Sequence, residues 1–135
     1  MIVREYTNKD YEEVSKLLLD VFNVKKVKDG CNDTHKEFVA EIDGHVVGYF
    51  LLTRVDNPIE KSFYYLVDWV CVNENYRNQH IGRKMMEFAE TFARKNKAKY
   101  LQLTSSYYRK AAHKLYEECG YEKRESAIFR KVLKW

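Results

Sequence analysis

The stretch YRNQHIGRKMMEFAE, residues 76–90, joins a polar turn to a helix with an apolar stripe. A polar turn that leads directly into a helix exposes unpaired N–H groups at the positive end of the helix dipole. Such a site binds phosphate without a dedicated basic residue. Gly82 would let the backbone approach an anion closely, and Arg77 and Arg83 add positive charge. A plain strand-to-helix connection with Gly82 at the N-cap explains the spacing equally well.

The elements that must position this turn can be predicted from local patterns. Residues 1–6 predict a short strand, and TNKD, residues 7–10, resembles a capping box with Asp10 in the role usually taken by Glu. Tyr11, Val14, Leu18, Val21 and Phe22 then follow at helical spacing. Asp43-Gly44 between two β-rich runs predicts a hairpin.

The second half of the chain predicts two further helices and the rest of a sheet. FYYLVDWVCV, residues 63–72, is too apolar to have one wet face, so we expect a central strand. A helix follows Gly82, KYLQLTS predicts another strand, and RKAAHKLYEECG predicts a short helix that Gly120 ends. Residues 121–135 would supply the last strand or two. The order β-α-β-β-β-α-β-α-β(-β) indicates an α/β domain with one mixed sheet flanked by helices.

Length and composition predict one globular domain over residues 1–135. Apolar residues make up 45% of the chain and charged residues 33%, which is not a disordered composition. The net charge of +4 is concentrated at residues 24–28 and 94–99. We interpret these runs as solvated faces or mild attractors for an anionic ligand, and expect no nucleic-acid partner.

Cysteine spacing and the hydropathy pattern predict a cytoplasmic protein without metal. Cys31, Cys71 and Cys119 have no metal-ligand spacing and do not form an even-numbered disulfide framework, so they are expected to be reduced thiols. The chain has no apolar run long enough to span a membrane, and its first residues do not form a signal peptide. We therefore expect no membrane partner, while a homodimer is possible.

Two motifs resemble the GNAT N-acetyltransferase superfamily. VCVNENYRNQHIGRKMMEFAE resembles its signature, in which Gln or Arg, two residues, Gly, one residue and then Gly or Ala follow a central strand. Arg77 fills the first of these positions and Gly82 the last. AAHKLYEECGYE, residues 111–122, resembles a second family segment, with five residues in register: Ala112, Leu115, Tyr116, Gly120 and Tyr121. The resemblance covers nearly the whole chain.

The resemblance implies that the turn holds the pyrophosphate of coenzyme A and that acetyl-CoA is the co-substrate. Backbone N–H groups would do the holding, from Asn78, Gln79, His80, Ile81, Gly82 and Arg83, with Arg77 beside them. His80 departs from the family because it stands at the usual first glycine. We expect that position to be helical enough to accept a side chain and His80 to lie beside the phosphates. Arg109 stands where many members have Asn.

The resemblance further implies that pantetheine binds like an added strand along the central strand, where that strand splays from its neighbour. Val70 and Val72 match the binding positions, and the Val70 N–H could also serve an oxyanion. A period of two places Asp68 on their side of the strand, where it could act as a base directly or through water. The other interpretation is a partly exposed Asp that only orders its neighbours.

Tyr116 matches the tyrosine that many relatives use as the acid for the leaving thiolate. Packing on the apolar side of its short helix is the alternative role. The resulting hypothesis is direct acetyl transfer from acetyl-CoA to a primary amine, either a small amine or a lysine or N-terminal amine. The short region 23–35 suggests an open acceptor site. A non-catalytic acyl-CoA-binding regulatory module and a basic nucleic-acid-binding domain are the alternatives.

Overall fold

The structure, a computed structural model, describes all residues 1–135 and contains one five-stranded sheet and three α-helices. The strands lie in the order β1-β2-β3-β4-β5, and only the pairing of β4 with β5 is parallel. The mixed sheet and the α/β class predicted from the sequence are therefore confirmed. No helix is long and apolar enough to cross a membrane. The strands are β1 Ile2–Glu5, β2 His35–Ile42, β3 His45–Asn57, β4 Ser62–Val72 and β5 Leu101–Gln102, and the helices are α1 Tyr11–Phe22, α2 Ile81–Lys95 and α3 Lys110–Glu118.

The helices cover both faces of the sheet. One face packs against α2 and α3 in a core that includes Phe38, Phe50, Met85 and Tyr116. The other face packs against α1 through a smaller cluster of Val14, Leu17, Leu18, Val39, Val46, Tyr49 and Cys71. Alternation of side chains along β3 feeds both clusters, as expected for a strand covered on both sides.

The predicted hairpin joins β2 to β3. Asp43 and Gly44 both have positive φ, 50° and 81°, and Ile42 pairs with His45 across the turn. This is the geometry that Asp-Gly favours, because its twist matches that of the flanking strands.

The predicted capping box is also present, and it carries an ion-pair network. The Thr7 N–H donates to the Asp10 carboxylate at 2.8 Å. Arg4 on β1 donates two hydrogen bonds of 2.9 Å to the same carboxylate and also binds Glu41 on β2. The Arg4 guanidinium holds the pKa of Asp10 below its ordinary value. The network therefore ties β1 and β2 to the start of α1.

The last part of the chain differs from the prediction. Residues 121–135 form no helix or strand, so the predicted strand or two after Gly120 is wrong. This segment makes no pairing with the edge strand β5, which itself has only two residues instead of the seven of KYLQLTS. It leaves large apolar side chains exposed: Ile128, Phe129, Val132, Leu133 and Trp135.

Candidate functional site

The sheet opens between β4 and β5, at the level of the predicted site. The pairing of β4 with β5 ends at Leu66, so the part of β4 beyond Leu66 has no strand beside it on that side. The Asn73 N–H donates to Val47 on β3, at 2.7 Å. Because successive N–H groups point to opposite edges of a strand, those of Val70 and Val72 face the open edge. Both predicted pantetheine-binding positions thus offer free backbone groups to an added strand.

A bulge in β4 separates these positions from Asp68. Tyr49 pairs with Cys71 and Leu51 with Asp68, so Trp69 and Val70 together oppose a single residue of β3. Trp69 has a φ of 56°, the left-handed region that non-glycine residues rarely adopt. A bulge re-aims side chains beyond it by one position, and this one falls where the sheet opens.

The bulge overturns the prediction that Asp68 shares a side with Val70 and Val72. Val70 and Val72 pack on the α2 face, whereas Asp68 lies beside Leu51 on the α1 face. The period of two fails because the extra residue shifts the alternation. Asp68 is half-buried, and burial raises the pKa of its carboxyl above the ordinary value. No basic side chain forms a salt bridge with it.

The turn before α2 presents backbone donors to the end of the same cleft. Asn78 and His80 both have left-handed backbone, with φ of 67° and 60°. The Lys84 N–H donates to the His80 carbonyl at 3.1 Å, and this is the first bond of the helix. The N–H groups of Ile81, Gly82 and Arg83 precede it and have no helical acceptor. Together they form the donor set that an anion such as a diphosphate requires.

The expected conformation of His80 is wrong, and so is the alternative interpretation that places Gly82 at the N-cap. His80 is the left-handed N-cap of α2, not a helical residue, so the histidine does carry the conformation that favours glycine. Gly82 is not the N-cap but the second residue of the helix, with ordinary φ. A Cβ at Gly82 would lie 3.0 Å from Leu115 Cδ2, closer than an ordinary van der Waals contact, so a larger residue would require the Leu115 side chain on α3 to move.

The two arginines of the turn differ in their availability. The Arg83 guanidinium donates to the Glu118 carboxylate on α3 at 2.8 Å, so this side chain is already engaged. Arg77 lies in the exposed turn and forms no salt bridge. The groups available to an anion are therefore the backbone N–H groups and the Arg77 side chain.

Tyr116 lies in the core on α3, with 7% of its surface exposed. Its ring centroid is 6.0 Å from that of Tyr121. Burial raises the pKa of Tyr116, and the positive charge of nearby Arg109 partly opposes that shift. The three buried side-chain polar atoms without a hydrogen bond belong to Ser15, Ser105 and Tyr121, so the Tyr116 hydroxyl is not sealed from the solvent. The side chain thus combines a packed ring with an accessible hydroxyl that is protonated at neutral pH.

Helix α3 ends as its sequence predicts. Gly120 has a φ of 90°, and the Tyr121 N–H donates to the Tyr116 carbonyl at 3.0 Å while the Gly120 N–H donates to Glu117. These two bonds are the Schellman motif, which fixes the last turn of a helix. The motif holds Tyr116 one turn from a rigid end.

Three further residues border the cleft and were not predicted to do so. The Trp69 ring packs edge-on against Phe22 at the end of α1, with centroids 5.3 Å apart and an interplanar angle of 82°. The Arg109 guanidinium lies 5.8 Å from the Phe22 ring centroid. Burial raises the pKa of Cys71, and the positive charge of Arg109 partly opposes this shift. The charge of Arg109 therefore acts on Cys71 of the α1 face as well as on Tyr116. For Arg109, the only indication in the sequence is that it stands where many family members have Asn. No sequence pattern indicates that Phe22 or Trp69 borders the cleft.

Residues 23–35, which were expected to leave the acceptor site open, are held in place through Lys26. Lys26 forms a salt bridge of 3.0 Å with Glu37 on β2, and the two side chains are only 10% and 13% exposed. The Tyr49 hydroxyl donates to the same carboxylate at 2.6 Å, and the Tyr11 hydroxyl donates to the Lys26 carbonyl at 2.8 Å. The loop after α1 is thus held against the α1 face of the sheet.

The residues present fit coenzyme A at two places, the free edge of β4 at Val70 and Val72 and the donors at the start of α2. No cluster of three or more His, Cys, Asp or Glu side chains is placed to hold a metal ion. A cavity of about 540 Å³ lies elsewhere, between Tyr107 and residues 123–127, and none of the predicted site residues lines it.

Comparison with known proteins gives the same family as the motifs. The family model of the acetyltransferase (GNAT) family matches residues 2–121. The uncharacterised N-acetyltransferase YhfO of Bacillus subtilis (strain 168) is 27% identical over 84 residues, which is 62% of this chain. The matched part spans only 56% of that relative's length.

Solved structures agree on the fold. A transcriptional regulator from Bacillus halodurans C-125 has a TM-score of 0.84 at 20% identity, covering 97% of this chain and 99% of that one. A ribosomal-protein-alanine N-acetyltransferase from Brucella melitensis biovar Abortus 2308 has a TM-score of 0.83 at 17% identity, covering 98% and 100%. Because the model of the acetyltransferase (GNAT) family matches residues 2–121, this chain belongs to that family.

Proposed function

We propose that this protein is an acetyl-CoA-dependent N-acetyltransferase that moves the acetyl group directly from the thioester to a primary amine. The observation that carries the proposal is the open edge of β4 at Val70 and Val72, which leads to the unpaired N–H groups at the start of α2. An extended arm that ends in a diphosphate fits such an edge and such a helix start. YhfO is named an N-acetyltransferase, which supports an amine as the acceptor.

Direct transfer places three demands on the site. The amine nitrogen must be unprotonated to attack the carbonyl carbon, the oxyanion needs a donor, and the thiolate must leave as the C–S bond breaks. Asp68 takes the proton of the amine, directly or through water, since burial has raised the pKa of its carboxyl. The Val70 N–H faces the open edge and donates to the oxyanion. Tyr116 gives its hydroxyl proton to the thiolate.

The position of Asp68 supports this division of roles. Because the bulge sends Asp68 to the α1 face while Val70 keeps to the open edge, the amine and the thioester approach from different sides of β4. A base on the acceptor side and an acid on the thioester side suit a direct transfer, since neither group must serve both reactants. No nucleophilic side chain is required.

Partners and location form part of the proposal. We propose a cytoplasmic protein that acts on a small-molecule or peptide amine and binds neither nucleic acid nor membrane. We also propose a homodimer, because five large apolar side chains are exposed on residues 128–135 while β5 leaves one sheet edge open. In a symmetric dimer, the apolar side chains could be buried and the open sheet edge covered in the same interface. Sedimentation velocity of the full chain, compared with a chain that ends at residue 127, tests the dimer.

Two measurements together test the enzyme against a non-catalytic acyl-CoA-binding module. Acetyl-CoA at about 100 times its dissociation constant should stabilise the fold by roughly 2.7 kcal/mol. Release of free thiol should then depend on an added amine, in a screen of amino acids, polyamines, aminoglycosides and peptides. Stabilisation without thiol release from any amine would favour the module. If acetyl-CoA neither stabilises the fold nor releases thiol, both the enzyme and the module are contradicted.

A further inference from the structure

Two half-buried groups of opposite charge border the cleft, and neither has a charged partner in the chain. Asp68 and Arg109 form no salt bridge, although each is partly withdrawn from water. Charged side chains that are removed from water are normally paired, because desolvation of a lone charge is costly. The protein therefore has one carboxyl group and one guanidinium group, both without a charged partner, near the ring pair of Trp69 and Phe22.

The two groups are linked by a continuous aromatic surface. Trp69 follows Asp68 along β4, and its ring packs edge-on against Phe22 at 5.3 Å. The Arg109 guanidinium lies 5.8 Å from the Phe22 ring centroid, so Phe22 neighbours both Trp69 and Arg109. Trp69 is 43% exposed, so this surface offers an apolar contact to a ligand between the two charges.

Glu37 shows that this fold can neutralise such a carboxylate. Glu37, Leu51 and Asp68 are paired in one row across β2, β3 and β4, and thus share the α1 face. Glu37 is paired with Lys26 at 3.0 Å and accepts a hydrogen bond from Tyr49. Asp68 lies two strands away, about 10 Å along the row. It has no salt bridge and accepts no hydrogen bond from a tyrosine. The contrast leaves Asp68 free for a cation from outside the chain.

Arg109 is set apart from the proposed diphosphate site. Leu115, the residue of α3 that lies against Gly82, is six positions further along, which is about 9 Å of helix. The guanidinium lies instead 5.8 Å from the Phe22 ring centroid, and its positive charge opposes the upward pKa shifts of Cys71 and Tyr116. Its planar group of donors matches a carboxylate, which can accept two parallel hydrogen bonds.

We propose that the acceptor is an amino acid with an apolar side chain. Arg109 binds its carboxylate, Asp68 receives its amino group, and its side chain rests on Phe22 and Trp69. This inference rests on the proposed acetyl transfer and names the acceptor class that the site selects. Arg109 is then a specificity residue, since it contacts the part of the acceptor that does not react.

The test compares L-phenylalanine with 2-phenylethylamine, the same amine without its carboxylate. The wild type should acetylate L-phenylalanine with a kcat/KM at least about tenfold higher, the usual size of a hydrogen-bonded charge contact. Arg109→Gln should abolish this preference. Lys110→Gln, which removes a neighbouring exposed charge, should keep it. Trp69→Ala should lower kcat/KM for both compounds to a similar extent.

The other outcomes separate this inference from the proposed function. A wild type that prefers 2-phenylethylamine, or an Arg109→Gln variant that keeps the preference, would overturn the inference. An equal loss on both amines in Arg109→Gln would also overturn it and place Arg109 at the thioester instead. Acetylation of other amines, with neither test compound accepted, would reject the amino acid and leave the transferase intact. If acetyl-CoA neither binds nor reacts, the proposed function itself fails.

Discussion

Gly82 and Leu115 bring the two motifs of this chain into contact, since a Cβ on Gly82 would lie 3.0 Å from Leu115 Cδ2. The absence of a side chain at Gly82 therefore lets Leu115 pack closely against α2, in addition to any role in the approach of a ligand. Gly82→Val should destabilise the fold by about 1 to 3 kcal/mol, because overpacking forces the two helices apart. Thermal unfolding measures this loss.

A double-mutant cycle identifies the cause of that loss. Gly82→Val should cost less in a Leu115→Ala background, where the side chain that it meets has been shortened. Equal costs in both backgrounds would mean that the contact with Leu115 does not limit residue 82.

The left-handed backbone of His80 predicts a gain of stability on substitution. His80→Gly should stabilise the fold by up to about 1 kcal/mol, because glycine has no Cβ and so adopts this conformation without a steric clash. Lys97 is a matched control, since it is also left-handed, with a φ of 62°, but lies beyond the other end of α2. Both variants should show a higher midpoint of thermal unfolding, while only His80→Gly should change the affinity for acetyl-CoA. A loss of stability in His80→Gly would show that the imidazole makes a contact worth more than the strain.

Asp68 should trade stability against activity. Burial raises the pKa of its carboxyl, so an ionised Asp68 makes a smaller contribution to the stability of the folded state than a neutral one. Asp68→Asn should therefore keep or raise the melting temperature while it lowers kcat by about 10² to 10⁴. Glu37→Gln is the contrasting control and should destabilise the fold, because it breaks a partly buried ion pair.

The same shift predicts the pH dependence of the reaction. Only the carboxylate form of Asp68 can accept a proton, so kcat/KM should fall as the pH falls through a pKa above the ordinary range of aspartate. A profile for Asp68→Asn with the same acidic limb would show that another group acts as the base.

Tyr116 and Tyr121 form a matched pair for the acid. Tyr116→Phe keeps the ring in the core and should lower kcat at least about tenfold with unchanged affinity for acetyl-CoA. The Tyr121 hydroxyl is buried without a hydrogen bond, so Tyr121→Phe should be neutral or stabilising and keep full activity. If Tyr116→Phe lost stability but kept kcat, Tyr116 would belong to the core alone.

The Arg4–Asp10 network predicts a loss of stability in acid. The pKa of Asp10 is lowered in the folded state, so its contribution is present above the ordinary pKa near 4 and is lost as the pH falls through the folded value. Asp10→Asn should cost about 2 kcal/mol at neutral pH, the size of hydrogen bonds to a charged group. Its stability should also depend less on pH below 4. Asp56→Asn, which breaks the exposed pair with Arg54, should cost less than about 1 kcal/mol.

Features set by local sequence could be predicted. The capping box at Thr7, the hairpin at Asp43-Gly44 and the end of α3 at Gly120 depend on a few adjacent residues, and all three are confirmed. The turn before α2 was placed correctly for the same reason. Its left-handed His80 was not, because a glycine is the usual signal for that conformation and is absent here.

Features set by pairing between distant segments could not be predicted. The bulge at Trp69 depends on the register of β4 against β3, and it alone decides which face Asp68 occupies. The contact between Arg109 and Phe22 joins segments 87 positions apart. Residues 121–135 carry an apolar pattern suited to a strand, yet a strand also needs a partner, which the pattern cannot specify.

The most direct test of acetyl transfer is to quantify released coenzyme A and acetylated amine in one reaction. Direct transfer predicts equal amounts of the two products at every time point, with no acetylated protein accumulating. It also predicts that Asp68→Asn and Tyr116→Phe lower both products together. Thiol release without acetylated amine, or an acetyl group retained on the protein, would contradict the account.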